Sequence, residues 1–164
     1  MSDNGAGDIS LRPLTEADIP ALFEIQLDED AQRLAAFIDP KAARDAEAFA
    51  RKYRKILADD AIVNRIVEAG GEVIGSVATF PMEGDTELTY WIRKDWWGKG
   101  VATAAVAALL DEVTYRPIHA RVVEDNTGSV RVLERNGFVR IGSDDGFAPA
   151  RQADVTELIF IRTG

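Results

Sequence analysis

The sequence predicts an α+β protein: a mixed, mostly antiparallel central sheet of about seven strands with helices on both faces. Three observations predict it. Short runs rich in Val, Ile and aromatic residues recur along the chain, and segments with apolar residues at helical spacing interrupt them. Gly-rich turns join the strands of the middle region, which reads as an antiparallel meander. Nearer the C-terminus a strand, a helix and a strand follow in close succession, which implies a right-handed parallel crossover.

The elements follow in order. Met1 to Asp8 has no packing residue beyond Met1 and reads as a disordered tail, leaving 9–164 as one domain. Ile9 to Pro13 is the first strand. Thr15 and Asp18 form a capping-box pattern that opens a helix through about Leu27. A second helix takes Asp39 as cap and Pro40 as first residue, with Phe49, Tyr53, Ile56 and Leu57 on one face. Ala61 to Glu68 and Glu72 to Phe80 form a hairpin across Ala69, Gly70 and Gly71, and Glu87 to Ile92 adds a third strand. A helix over Val101 to Tyr115 precedes the strand Ile118 to Val123. Asn126 to Asn136 is the last helix, stopped by Gly137, and Phe138 to Ile141 and Val155 to Ile161 finish the sheet.

Composition narrows the chemistry. The 164 residues carry 46% hydrophobic side chains, which is enough for a core without a disulfide or structural metal. With no cysteine, a thiolate nucleophile and a zinc finger are excluded, and a single histidine, His119, excludes multi-histidine metal sites. The net charge of -9 argues against nucleic acid and anionic membranes as partners. No apolar run approaches the roughly 20 residues of a membrane span, so a cytoplasmic protein is expected.

Two segments concentrate the chemistry. Trp97-Gly98-Lys99-Gly100-Val101-Ala102-Thr103 joins a strand to a helix. Its glycines let backbone approach a ligand, and the first helical amides, lacking intrahelical acceptors, suit a phosphate. Alone, the glycines could equally shape a tight turn. The second segment runs from Asp125 to Phe138, with Asn126, Ser129, Val132, Leu133, Gly137 and Phe138 at fixed spacing.

Together the two segments resemble the GCN5-related N-acetyltransferase (GNAT) superfamily, in particular its ribosomal-protein N-terminal acetyltransferase-like (RimJ/RimL-like) branch. The resemblance implies the acyl-coenzyme A N-acyltransferase fold and acetyl-coenzyme A as cosubstrate, without a metal. It implies that the amides of Gly98, Lys99, Gly100, Val101, Ala102 and Thr103 hold the pyrophosphate. Trp97 stands where relatives carry Gln or Arg. It also implies that the pantetheine arm lies along Glu87 to Ile92, with a main-chain amide near Trp91, Ile92 or Arg93 polarising the thioester carbonyl. Asn126 would bond the pantetheine, and Arg131 or Lys99 would reach a phosphate.

Chemistry sets what remains. An ammonium must lose a proton before it attacks. The resemblance makes Glu87 the candidate acceptor of that proton, since it opens the strand that looks like the family's fourth, where similar members carry a catalytic glutamate. A solvated strand-end carboxylate is the plain alternative. Many relatives use a tyrosine to assist the leaving thiolate four residues before the Gly of Gly-Phe, but Leu133 occupies that place. The resemblance transfers the role to Ser129, whose other reading is a hydroxyl satisfying its own helix turn. His119 reads as a hydrogen-bonded structural residue, with catalysis in reserve. Asp28, Glu29 and Asp30 read as a solvated acidic loop that would attract a cationic amine if it faced the cleft.

The function so implied is transfer of acetyl from acetyl-coenzyme A to a primary amine, on a small molecule or peptide, by direct attack in a ternary complex. The alternative is a non-catalytic acyl-coenzyme A binding or sensing module of the same fold. The apolar final strand fits either a homodimer contact or a central place in the sheet.

Overall fold

The computed structural model describes residues 8–164, so the expected tail over 1–8 lies, apart from Asp8, outside the described residues. β1 (Ile9–Pro13) leads to the capping box of Thr15 and Asp18. The box closes as expected, but over a 3-10 turn at Glu16–Asp18; the helix proper, α1, is Ile19–Gln26. Asp18 is buried and accepts four hydrogen bonds: from the Thr15 amide at 2.8 Å, from the Thr15 hydroxyl at 2.9 Å, and from both Arg12 terminal nitrogens at 2.7 and 2.8 Å. The guanidinium holds its carboxyl down at about 2, and the charged bonds outweigh the cost of burial.

Two expectations for this region are corrected. The acidic residues after α1 are not a loop, because the Asp28 carboxylate accepts from the Ala31 amide at 2.8 Å and caps a further helix, α2 (Glu29–Ala35). Asp39 starts no long helix either. Its carboxylate closes a local turn onto the Lys41 amide at 3.0 Å, and the better-placed Asp45, accepting from Ala48 at 3.0 Å, caps α3 (Ala46–Ala58). Phe49, Tyr53 and Ile56 pack inward as expected, whereas Leu57 is exposed.

The meander is β2 (Val63–Ala69), β3 (Glu72–Met82) and β4 (Asp85–Ile92). Both connections are two-residue turns with positive φ, at Gly70 and Gly71 and at Glu83 and Gly84, the geometry that matches the twist of paired strands. Then come α4 (Val101–Glu112), β5 (Ile118–Val123), α5 (Thr127–Arg135), β6 (Val139–Ala148) and β7 (Ala153–Arg162). The expected helix to Tyr115 therefore stops at Glu112. The strand expected over Phe138 to Ile141 extends through Gly142-Ser143-Asp144-Asp145-Gly146, a stretch of weak strand formers that full-length pairing with β7 carries.

The sheet order is β1-β2-β3-β4-β5-β7-β6, and the β4–β5 neighbours are parallel. One face packs on α4 and α5 through Val101, Ala105, Leu109, Leu133, Ile118 and Phe160; the other packs on α1 and α3 through Leu22, Ile25, Ile66, Phe49 and Tyr53. β7 is paired on both edges, so its apolar run reflects a position inside the sheet and offers no free edge for a homodimer. The outer strands are β1 and, beside β7, β6, which carries Asp144 and Asp145 mid-strand, a charge pattern that discourages edge pairing.

Gly75 on β3 fixes the course of β4. A Cβ there would lie 2.2 Å from the Trp91 carbonyl oxygen, so only glycine lets β4 approach this closely.

Candidate active site

β4 and β5 touch as a parallel pair only at Glu87 and His119. Beyond that point they part. Leu88 to Ile92 on one side and Ala120 to Val123 on the other line a cleft of about 920 Å³. Parallel strands that splay leave backbone groups unpaired along both inner edges, and in a buried setting those groups need a partner. The Arg93 amide donates to Ile74 on β3 at 2.7 Å, so by strand alternation the amides of Tyr90 and Ile92 face the opening. Of the amides near Trp91, Ile92 and Arg93, Ile92 is thus the one turned to the cleft.

The glycine segment closes the wide end. Gly98 and Gly100 have φ of +74° and +78°, the left-handed region that side chains resist. Gly100 is the N-cap of α4 and has no side chain to cap with. The first intrahelical bond there runs from the Ala104 amide to the Gly100 carbonyl at 3.1 Å. The amides of Val101, Ala102 and Thr103 lack such acceptors, and all three residues line the cleft, as do Trp97, Gly98 and Gly100. Trp97 has a purpose the sequence did not disclose: its indole Nε1 donates to the Ile92 carbonyl at 2.7 Å, pinning the loop to the end of β4.

Across the cleft, the Asn126 side-chain Oδ1 accepts from the Ser129 amide at 3.2 Å and caps α5, which leaves the Asn126 side-chain amide nitrogen uncommitted. Ser129 lines the cleft, and its hydroxyl meets that of Tyr90 in a short contact. Tyr90 was not foreseen in this role. Burial pushes its phenol up to about 12 despite the Ser129 bond, so the ring keeps its proton. Either hydroxyl is able to donate in that contact, which holds the Ser129 hydroxyl at the cleft wall.

The expected site residues divide. Trp91, Ile92, Trp97, Gly98, Gly100, Val101, Ala102, Thr103, Asn126, Ser129 and Arg131 all line one cleft. Arg93 and Lys99 do not. Arg93 is bound to Asp95 and Glu72, and Lys99 lies over the Trp96 ring with its ammonium 5.1 Å from the centroid. Glu87 stands at the apex of the splay, just behind the cleft wall. It is buried, and burial raises its pKa while His119 and Arg121 pull the other way. The Nδ1 of His119 is buried with no hydrogen-bond partner among the described residues, contrary to the expected bonded histidine.

The electrostatics differ from the overall charge. Two carboxylates line the cleft, and both are paired: Asp125 with Arg151 at 2.7 Å and Glu157 with Arg121 at 3.0 Å. Lys52, Arg131 and Arg135 line it without an ion pair among the described residues. The cleft is thus positive in a chain of net charge -9, a field that suits phosphates. Asp28, Glu29 and Asp30 stay outside it; Asp30 is bound to Lys94. Glu157 is the residue the sequence reading missed, because nothing in an apolar terminal strand marks one carboxylate as cleft-facing.

A splayed parallel pair abutting an uncapped, glycine-led helix start defines an acyl-donor cleft. The chain belongs to the GNAT acetyltransferase family: the family described as Acetyltransferase (GNAT) domain matches residues 8–139. It is 27% identical over 147 residues to an uncharacterized N-acetyltransferase p20 of Bacillus licheniformis, covering 82% of this chain and 80% of that protein. Among solved structures it is similar to Mycobacterium smegmatis RimJ in complex with CoA-disulfide, with TM-score 0.77 and 24% identity over 95% of this chain and 82% of that one. It is also similar to spermidine N-acetyltransferase from Vibrio cholerae in complex with CoA and spermine, with TM-score 0.79 and 22% identity over 94% and 96% of the two chains. No helix among the described residues is long and apolar enough to cross a membrane.

Proposed function

We propose that this chain binds acetyl-coenzyme A in the β4–β5 cleft and transfers the acetyl group to a primary amine by direct attack in a ternary complex. The observation that carries the reading is the joining, in one cleft of about 920 Å³, of the splayed strand edges to the free amides at the start of α4. When bound, the donor supplies an activated acetyl carbonyl; the rest is this chain's work.

The residues fit that ligand. Amides of Val101 to Thr103 face the cleft beside Arg131, the donor set a pyrophosphate needs. The Ile92 amide supports a hydrogen bond to the thioester oxygen, where negative charge grows as the amine attacks. The Asn126 amide group is free for a pantetheine carbonyl.

In the reaction a C–N bond forms and the C–S bond breaks. Glu87 takes the ammonium proton through an intervening water, since it lies behind the wall and has no fixed hydrogen bond among the described residues to occupy its oxygens. Glu157, held by Arg121, orients the ammonium. Ser129, held in place by its hydroxyl contact with Tyr90, donates to the departing sulfur, which then takes a proton from solvent. One chain supplies the cleft residues described above, and we assign the reaction to the cytoplasm.

The test is release of coenzyme A thiol from acetyl-coenzyme A when a panel of primary amines is added. Amine-dependent release supports the transferase. Tight acetyl-coenzyme A binding with no release from any amine would instead describe a binding module.

A further inference from the structure

A second cavity, of about 270 Å³, lies on the opposite face of β4, between α1, α3 and the sheet. Phe49, Tyr53 and Trp91 line it. Three residues, Ile38, Lys52 and Trp91, line both this cavity and the acyl-donor cleft, so the two spaces meet at the Trp91 wall. Its polar groups are few. Ser76 is buried and makes no side-chain hydrogen bond among the described residues, and Gln26 spends its amide group on the Phe23 and Ala43 carbonyls. Asp39 stands exposed at the rim, tied to the Lys41 amide. An apolar cavity of about 150 Å³ suffices for benzene, so this one accommodates a phenyl or branched alkyl group with room for its stem.

Charge decides what kind of amine such a group belongs to. A polycation is recognised by several free carboxylates, yet both carboxylates of the cleft are committed to arginines. The cation at the junction of the two cavities is Lys52, which makes no ion pair among the described residues and would repel a second ammonium. It would attract a carboxylate.

We propose that this second cavity is the acceptor-specificity subsite and takes the apolar or aromatic side chain of an α-amino acid, whose carboxylate meets Lys52 while its amine enters the cleft. The proposal rests on the transferase reading above and narrows its acceptor. An apolar side chain added to the acceptor gains about tenfold or more in kcat/KM for each well-packed group. Polyamines and aminoglycosides gain nothing from the cavity and lose by Lys52.

The experiment measures thiol release with acetyl-coenzyme A and phenylalanine, leucine, glycine, phenethylamine, spermidine and an aminoglycoside. Phenylalanine or leucine should exceed glycine and spermidine in kcat/KM by at least about tenfold. Ala48→Leu, which fills the cavity from the first turn of α3, should cut the phenylalanine-to-glycine ratio by a similar factor. Lys52→Met should erase the advantage of phenylalanine over phenethylamine, which has the same ring and amine but no carboxylate. Acetyl-coenzyme A affinity by calorimetry reports whether each variant is folded. Preference for spermidine or the aminoglycoside, or an Ala48→Leu variant with the ratio intact, overturns the subsite and leaves the transferase standing. Thiol release from no amine overturns both.

Discussion

Replacing Gly100 by valine strikes the one backbone position on which donor binding turns. Gly100 caps α4 at φ +78° and ψ 8°, and a valine held in the left-handed region costs on the order of 1–2 kcal/mol. The strain relaxes when the residue moves toward an extended conformation, which swings the first turn of α4 and the amides of Val101 to Thr103 away from their line into the cleft. A hydrogen bond to a charged group is worth about 1.5–3 kcal/mol, so each phosphate bond lost weakens binding by about ten- to a hundredfold. The assay is titration calorimetry with acetyl-coenzyme A, alongside thermal melting to show that the variant folds. A folded Gly100→Val protein with unchanged Kd would refute the reasoning, since it would mean that those amides hold nothing.

Three further outcomes are expected. Glu87→Gln should lower kcat by about 100- to 10,000-fold with acetyl-coenzyme A affinity retained. In the parent the base is lost as pH falls through a pKa raised by burial, so the acid limb of the rate profile should lie above the range of an ordinary glutamate and vanish in the variant. Tyr90→Phe should lower kcat by about tenfold, the worth of one directed hydrogen bond, without changing acetyl-coenzyme A affinity; an unchanged kcat would remove Tyr90 from its positioning role. Asp18→Asn tests the N-terminal ion pair. Because its carboxyl is held at about 2, Asp18 contributes about 2 kcal/mol above its ordinary pKa and loses it as pH falls toward 2. Denaturant melts of the variant should show that loss at neutral pH and a flatter acid limb, and equal stability at pH 7 would count against it.

The sheet, its meander and the crossover were legible because Val- and Ile-rich runs and Gly-Gly turns are local signals that the tertiary structure reinforces. The glycine segment and the Asn126 to Phe138 segment were legible because a positive φ and an N-cap each demand particular residues. Helix starts among competing aspartates were not. Asp28, Asp39 and Asp45 are each able to cap, and which of them begins a full helix depends on what packs afterwards. β6 was truncated because its second half pairs despite poor strand propensity. Trp97 was expected at the site, but its anchoring contact, the Tyr90 hydroxyl and Glu157 escaped for a shared reason: those roles come from contacts across the fold, with the Ile92 carbonyl, Ser129 and Arg121, and no sequence spacing encodes those meetings.

A crystal structure of this protein with coenzyme A is the most direct measurement. The account predicts diphosphate oxygens on the Val101 to Thr103 amides and the thiol between β4 and β5, within reach of Ser129. Density for the ligand outside the splayed strands, with the α4 start bare, would contradict it.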